Sequence, residues 1–361
     1  MDYSLPQLFK ALMDQNGSDL HIVAGSPPRL RIDGQLLPLD LPPLNVSEAM
    51  NLCYSVLTEN QKKHFEQKKE LDLAFSVKGL ARFRANIYYE GTNVAGAFRV
   101  IPYKIYTMDE LNLPPVIKTI AQLPRGLVLV TGPTGSGKST TLASIINFIN
   151  ETRYEHIITI EDPVEFIHHH NNCVLSQREI GKDTKSFSDA LKSILRQDPD
   201  VVMVGELRDQ ETIASALTVA ETGHLVFGTL HTNDCISSLN RIIDVFPPHQ
   251  QAQIRVQLSM TLEAVVSQLL IPSSKGGRVQ ALEIMRTTSA VRALIGEGKF
   301  NQIYSAIQSG QSDSGMQTMN QSLFNLVKKG KITKQIAITK TGMPDELSEM
   351  MNRSGARPRG R

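Results

Sequence analysis

Residues 127–141 read Leu-Val-Leu-Val-Thr-Gly-Pro-Thr-Gly-Ser-Gly-Lys-Ser-Thr-Thr: an apolar run, then G-x-x-x-x-G-K-S across residues 132–139. No other stretch restricts the fold as much. An apolar run of this kind reads as a buried strand, and it leads into a loop where Gly132, Gly135 and Gly137 allow positive φ and close approach to a ligand. Successive N–H groups then line a concavity for an anion. A helix beginning near Lys138 adds the positive end of its dipole. Lys138 has the reach for β- and γ-phosphates, and the Ser139 hydroxyl can ligate Mg²⁺. The candidate nucleotide-binding set is Gly132, Pro133, Thr134, Gly135, Ser136, Gly137, Lys138, Ser139 and Thr140.

From Gly126 onward the pattern of strand, polar loop and helix repeats. Strands are expected at residues 127–130, 157–160, 201–204 and 225–229, and helical spacing links Phe187, Ala190, Leu191, Ile194 and Leu195. Short apolar runs alternating with helices predict a mostly parallel sheet covered on both faces. Ligands bind beyond the carboxyl ends of such strands. The first part of the chain, residues 1–102, reads instead as a smaller α+β domain, with helices over residues 5–13 and 46–65 and strands near residues 19–23 and 29–32. Residues 103–124, interrupted by Pro114, Pro115 and Pro124, read as a linker or hinge. The second domain, with the phosphate loop, is expected over residues 125–352. Residues 353–361, with Arg353, Arg357, Arg359 and Arg361, read as a disordered basic tail.

Within the first domain, residues 82–89 alternate. Phe83, Ala85, Ile87 and Tyr89 share one face; Arg82 and Arg84 lie on the other. A two-residue turn at Gly91-Thr92 puts Arg84 opposite Arg99. Like charges across a hairpin repel. Three arginines on one face call for an anion or an acidic neighbour, unless solvent simply holds them apart.

Acidic and basic residues cluster after the later strands. Glu161-Asp162-Pro163-Val164-Glu165 follows the second, Gly205-Glu206-Leu207-Arg208-Asp209 the third and Leu230-His231-Thr232 the fourth, with His224 just before it. Phosphoryl transfer needs hard oxygen ligands for Mg²⁺, an oriented water and cations for the leaving oxygens. Glu206 sits where an acid would bind Mg²⁺, directly or through water. Glu165 is the first candidate for orienting water and Glu161 the second, while Asp162 has the alternative of forming an Asp-Pro turn. Arg208 and His224 are supporting candidates; His231 is a catalytic candidate, with the option of sensing the γ-phosphate. His168, His169 and His170 read as a solvated loop rather than a metal site.

Taken in order, these motifs resemble those of the secretion ATPase superfamily, and within it the type IV pilus retraction ATPases. Residues 132–139 match the Walker A motif, 160–166 the Asp box, 196–209 the Walker B region, 222–232 the His box and 18–21 the start of the N-terminal domain. The resemblance implies a RecA-like C-terminal domain, a PAS-like N-terminal domain and a homohexamer that hydrolyses ATP with Mg²⁺. It assigns Glu165 as catalytic glutamate and Glu206 as Walker B acid. It has Arg82, Arg84 and Arg99 contact phosphates across a domain or subunit interface. It implies an inner-membrane pilus platform protein as partner, with a paralogous retraction ATPase as a further one, and a cytoplasmic location, peripheral at the inner membrane. The usual C-terminal retraction motif is altered at two polar positions in Ala290-Val-Arg-Ala-Leu-Ile-Gly296.

Assembly and type II secretion ATPases usually carry a longer N-terminal region and a four-cysteine metal module; the absence of both favours retraction over extension. Cys53, Cys173 and Cys235 form no C-x-x-C, which fits a reducing compartment. A formal net charge of +2 argues against a nucleic-acid motor. A scaffold that binds ATP without hydrolysing it is a further rival.

Overall fold

The computed structural model describes residues 3–32, 34–101 and 104–355. The chain divides into two compact units, Met1–Ile105 with Pro163–Ile167, and Tyr106–Asp162 with His168–Arg361.

The strands of the first unit are β1 (Asp19–Ile22), β2 (Arg29–Ile32), β3 (Gln35–Pro38), β4 (Glu70–Val77), β5 (Ala81–Glu90) and β6 (Asn93–Ile101). They pair antiparallel in the order β3-β2-β1-β6-β5-β4. Alternation decides which face is covered. Phe83, Ala85 and Ile87 of β5 are buried with Leu20, Phe98 and the helix residues Leu5, Phe9 and Leu12. Phe9 stacks on Phe83 with ring centroids 3.9 Å apart. The opposite face carries the arginines. The single helix expected over residues 46–65 is two helices, Val46–Tyr54 and Glu59–Lys68. The break comes at Thr58, whose side chain caps the Gln61 N–H while Gln61 caps Thr58 in return.

The second unit holds β7 (Gly126–Thr131), β8 (His156–Glu161), β9 (Val174–Glu179), β10 (Val201–Val204), β11 (Leu225–Leu230), β12 (Leu262–Pro272) and β13 (Arg278–Arg286). The order is β13-β12-β7-β11-β10-β8-β9. All pairs are parallel except the β12–β13 hairpin. Helices cover both faces, so β7 is buried at every position. Leu127 and Leu129 join a core with the helices Phe187–Ile194, Gln210–Glu221 and Cys235–Asp244. Val128 and Val130 face Leu142, Ile145 and Ile149 of the helix Lys138–Thr152.

The residues read as a linker do more than connect. The helix Pro115–Ala121 buries Ile117 and Ile120 in that second core, together with Met108 and Leu113. Prolines there start a helix at its first positions, where no N–H is needed. The hairpin β12–β13 is not among the strands expected from the sequence. Leu323, on the helix Met319–Lys328, is buried in a smaller core with Ile271 and Leu347. Arg353 belongs to the helix Pro344–Gly355 rather than to a tail; Arg357, Arg359 and Arg361 lie outside the described residues. Among the described residues no helix is long and apolar enough to cross a membrane.

Candidate nucleotide site

The carboxyl end of β7 turns directly into the phosphate loop. Gly132, Gly135 and Gly137 have φ of +143°, +78° and +89°, and the helix Lys138–Thr152 begins at once after Gly137. The three glycines are needed for different reasons. A Cβ on Gly132 would stand 2.3 Å from the backbone oxygen of Gln268 and 2.6 Å from Ser136 Oγ; one on Gly137 would stand 2.8 Å from Gln268 Nε2. A Cβ on Gly135 meets nothing within 4 Å, so only its positive φ calls for glycine. Lys138 is buried, and its ammonium donates to the carbonyls of Gly132 at 2.8 Å and Pro133 at 3.1 Å. Ser136 Oγ is buried with no hydrogen-bond partner, and Ser139 is exposed at the helix start. A cradle with a lysine turned back on its own loop and a spare buried hydroxyl suits an anion rich in oxygen.

Next to it, β10 and β11 deliver the second group. Glu206 Oε1 is 2.7 Å from Arg208 Nε and 3.5 Å from His231 Nε2. The other ring nitrogen of His231 is 3.5 Å from Thr134 Oγ1, so His231 spans the phosphate loop and Glu206. Burial pushes the Glu206 carboxyl up, but the hydrogen bond and charge of Arg208, then those of His231, outweigh it and hold the group below the ordinary carboxylate value. Asp209, in the same acidic cluster, is a helix cap: it accepts the Thr212 N–H at 2.9 Å. Asp162 is exposed and adds to the field that stabilises the Arg208 charge.

Glu161, at the end of β8, is buried and accepts from Thr159 Oγ1 at 2.7 Å and Gln177 Nε2 at 3.1 Å. His224 is not part of this group. It precedes β11, whose far end carries His231, so a strand of six residues, about 20 Å, separates it from the loop within one chain. Its Nδ1 is 2.9 Å from the Val219 carbonyl and 3.1 Å from Thr222 Oγ1. The histidine run ties back to its own strand: Leu175 N–H donates to His170 Nδ1 at 3.0 Å, and His168 N–H to Gln177 Oε1 at 2.9 Å. Burial, then the charge of His169, lowers the His168 pKa to about 4.

In the first unit the register places Arg84 opposite Arg99, as the alternation requires. The acidic neighbours are present. Arg84 lies 3.9 Å from Asp72 and 3.8 Å from Glu165. Arg99 Nε donates to Asp19 Oδ1 at 2.8 Å, and Arg31 lies 3.8 Å from the other oxygen. Arg82 Nε donates to the Val164 carbonyl at 3.2 Å. The segment of Glu165 thus groups with the arginine face. Sequence reasoning missed two residues: Asp19, whose carboxylate is flanked by Arg31 and Arg99, and Gln268, which underlies the phosphate loop. The signal for Gln268 was a polar pair, Ser267-Gln268, inside the apolar run 264–271.

A family model described as type II/IV secretion system protein matches residues 4–336. The type IV pilus retraction ATPase PilT of Pseudomonas aeruginosa is 50% identical over 333 residues, 92% of this chain and 96% of that protein. The chain belongs to the type II/IV secretion system protein family. A twitching motility protein of Neisseria gonorrhoeae, 46% identical over 347 residues, covers 96% of this chain and 92% of its own length. A crystal structure of the pilus retraction motor PilT with bound ADP matches with a TM-score of 0.90 at 46% identity, over 97% of this chain and 100% of that one. The family likeness therefore takes in both units: the antiparallel sheet with its arginine face and the parallel sheet with its phosphate loop.

Proposed function

We propose that this chain is a mechanical ATPase that powers type IV pilus retraction. In this reading it works as a homohexamer, at the cytoplasmic side of the inner membrane and against a platform protein there. The observation that carries the reading is the phosphate loop, with its three positive-φ glycines and its buried lysine, in a chain half identical to a protein named as a pilus retraction ATPase.

The residues divide the work as follows. Lys138 exchanges the carbonyls of Gly132 and Pro133 for phosphate oxygens, and the loop N–H groups hold the rest of the tail. The Ser139 hydroxyl and, through water, the ionised Glu206 would hold Mg²⁺, which supplies charge neutralisation when bound. His231 reports a filled loop to Glu206, because it touches both Thr134 and Glu206. Glu165 orients the attacking water, with Glu161 supporting that end of β8. Arg82, Arg84 and Arg99, presented by residues 1–102 of this chain or a neighbour, meet the charge on the phosphates. Arg84 cannot serve Glu165 and a phosphate equally, so phosphate capture by Arg84 releases Glu165 for its water. Ligand binding then shifts the ring between states that differ in this pairing.

Phosphate release by the purified protein tests the enzyme, with Lys138→Ala and Glu165→Gln expected to lose turnover by about a hundredfold or more. Wild-type turnover in Glu165→Gln would remove that residue from the chemistry. A deletion strain tests the direction of work: hyperpiliated cells that do not twitch are expected, and bald cells would mean extension.

A further inference from the structure

We propose that Gln268 is a positioning residue for nucleotide binding: its side-chain amide, inserted from β12, holds the phosphate loop in its binding shape. The inference rests on the loop being the nucleotide site. It names a residue outside the G-x-x-x-x-G-K-S motif on which that motif depends.

The geometry is specific. Gln268 is 2% exposed. Its Nε2 donates to the Ser136 carbonyl at 2.7 Å, and its Oε1 accepts from the Thr141 hydroxyl at 2.8 Å. One orientation of the amide serves both, since a carbonyl only accepts and the Oε1 atom cannot donate. A single side chain therefore ties the middle of the loop to the first turn of the following helix. β12 runs parallel beside β7 with Ser267 opposite Thr131, which brings Gln268 level with Gly132. Gln268 also sets the steric demand on two of the glycines, through its backbone oxygen at Gly132 and its Nε2 at Gly137.

The loop must point several N–H groups at one anion before the anion arrives. A loop held in that shape spares binding the entropy of ordering it. Turning the Ser136 carbonyl inward onto Gln268 also keeps an oxygen from facing the phosphates. Without the amide, the Ser136 carbonyl and the Thr141 hydroxyl are left buried and unpaired, and the loop relaxes to find other partners.

The test uses the full-length protein with Gln268→Met, close in shape and without either hydrogen bond, and Gln268→Glu, which keeps the acceptor for Thr141 but cannot donate to Ser136. Thr141→Val and Thr141→Ser remove and restore the other contact. For Gln268→Met, the KM for ATP and the Kd for a fluorescent ADP are expected to rise about tenfold, equivalent to about 1.4 kcal/mol. Turnover at saturating ATP stays within about twofold, a split that general unfolding does not produce. Gln268→Glu loses more, because it also brings a negative charge toward the phosphates. Thr141→Val loses less, and Thr141→Ser binds as the wild type does. Hydrogen exchange without nucleotide reads the loop directly: amides of residues 135–138 should exchange faster in Gln268→Met, while those of β10 and β11 are unchanged.

Unchanged Kd and unchanged exchange in Gln268→Met overturn the proposal. So does a parallel fall of turnover, affinity and thermal midpoint, which would make Gln268 an ordinary core residue. A wild-type protein that binds no nucleotide would defeat the functional reading instead, and the exchange measurement still decides whether Gln268 shapes the loop.

Discussion

The two sheets hold their charged groups in opposite ways. In the parallel sheet, phosphate recognition is a property of the backbone: a strand ends, three glycines turn, and a helix starts. In the antiparallel sheet the charges lie on side chains of β5 and β6 on one sheet face, spaced by the pleat and held by Asp19, Asp72 and Glu165. A backbone site is fixed by packing, so it tolerates little added volume. A side-chain site tolerates volume changes at its exposed positions but depends on charge. The two should fail under different substitutions.

The largest effect is expected at Gly132. In Gly132→Ala the new methyl meets the backbone oxygen of Gln268 at 2.3 Å, and β12 is hydrogen-bonded on both sides and cannot retreat. With the unfavourable φ of +143°, the cost is roughly 3 kcal/mol, and nucleotide binding should be lost. Gly135→Ala places its methyl in open space at φ +78° and should cost only the backbone term, about 1–2 kcal/mol. Urea midpoints at constant m-value compare the two. Equal destabilisation would mean that packing against β12 does not distinguish these glycines.

Next come the arginines, where chemistry should suffer and folding should not. The Arg99 side chain is 68% exposed, so its pair with Asp19 contributes at most about 1 kcal/mol. Arg99→Ala should lower ATP turnover by roughly a hundredfold, if Arg99 meets phosphate charge, while the urea midpoint barely moves. Asp19→Asn keeps the shape but removes the charge that anchors Arg99, so a loss of roughly threefold to tenfold is expected, through orientation alone. If Asp19→Asn cost as much as Arg99→Ala, the carboxylate would itself belong to the chemistry.

The same contrast explains what could be read from the chain without coordinates. The phosphate loop, the strands that precede Glu161, Glu206 and His231, and the Arg84–Arg99 register all follow from local pattern. They depend on the order of residues along one strand or across one tight turn. Gln268 and Asp19 were not legible as site residues, because Gln268 acts on Ser136 and Thr141, 132 and 127 positions away, and Asp19 anchors Arg99, 80 positions away. His224 misled for a related reason: it stands next to a strand whose other end is the one that matters. The prolines at 114 and 115 suggested a tether but begin the helix Pro115–Ala121, which buries Ile117 and Ile120, since proline is equally at home in a linker and in a first helical turn.

The smallest effect tests how the arginine hairpin is held in place. Glu90 pairs with Asn93, leaving Gly91 and Thr92 as the turn, and both have positive φ, +53° and +84°. That is the twist-matched pattern of a type I′ turn, which favours glycine or asparagine at both positions. Thr92 is β-branched and strained there by about 1–2 kcal/mol. Thr92→Gly removes the strain but loosens the unfolded chain, so a net gain of roughly 0.5–1 kcal/mol is expected. A chain with two units need not unfold in one step, so a global midpoint would blur so small a change. Native-state hydrogen exchange of the β5 and β6 amides reads it locally and should slow by about threefold. Turnover should not change, because Arg84 and Arg99 lie seven residues along each strand from the turn. Slower turnover together with slower exchange would show instead that the strained turn lets the arginine face move, and would make the stiffness of this hairpin part of how the motor works.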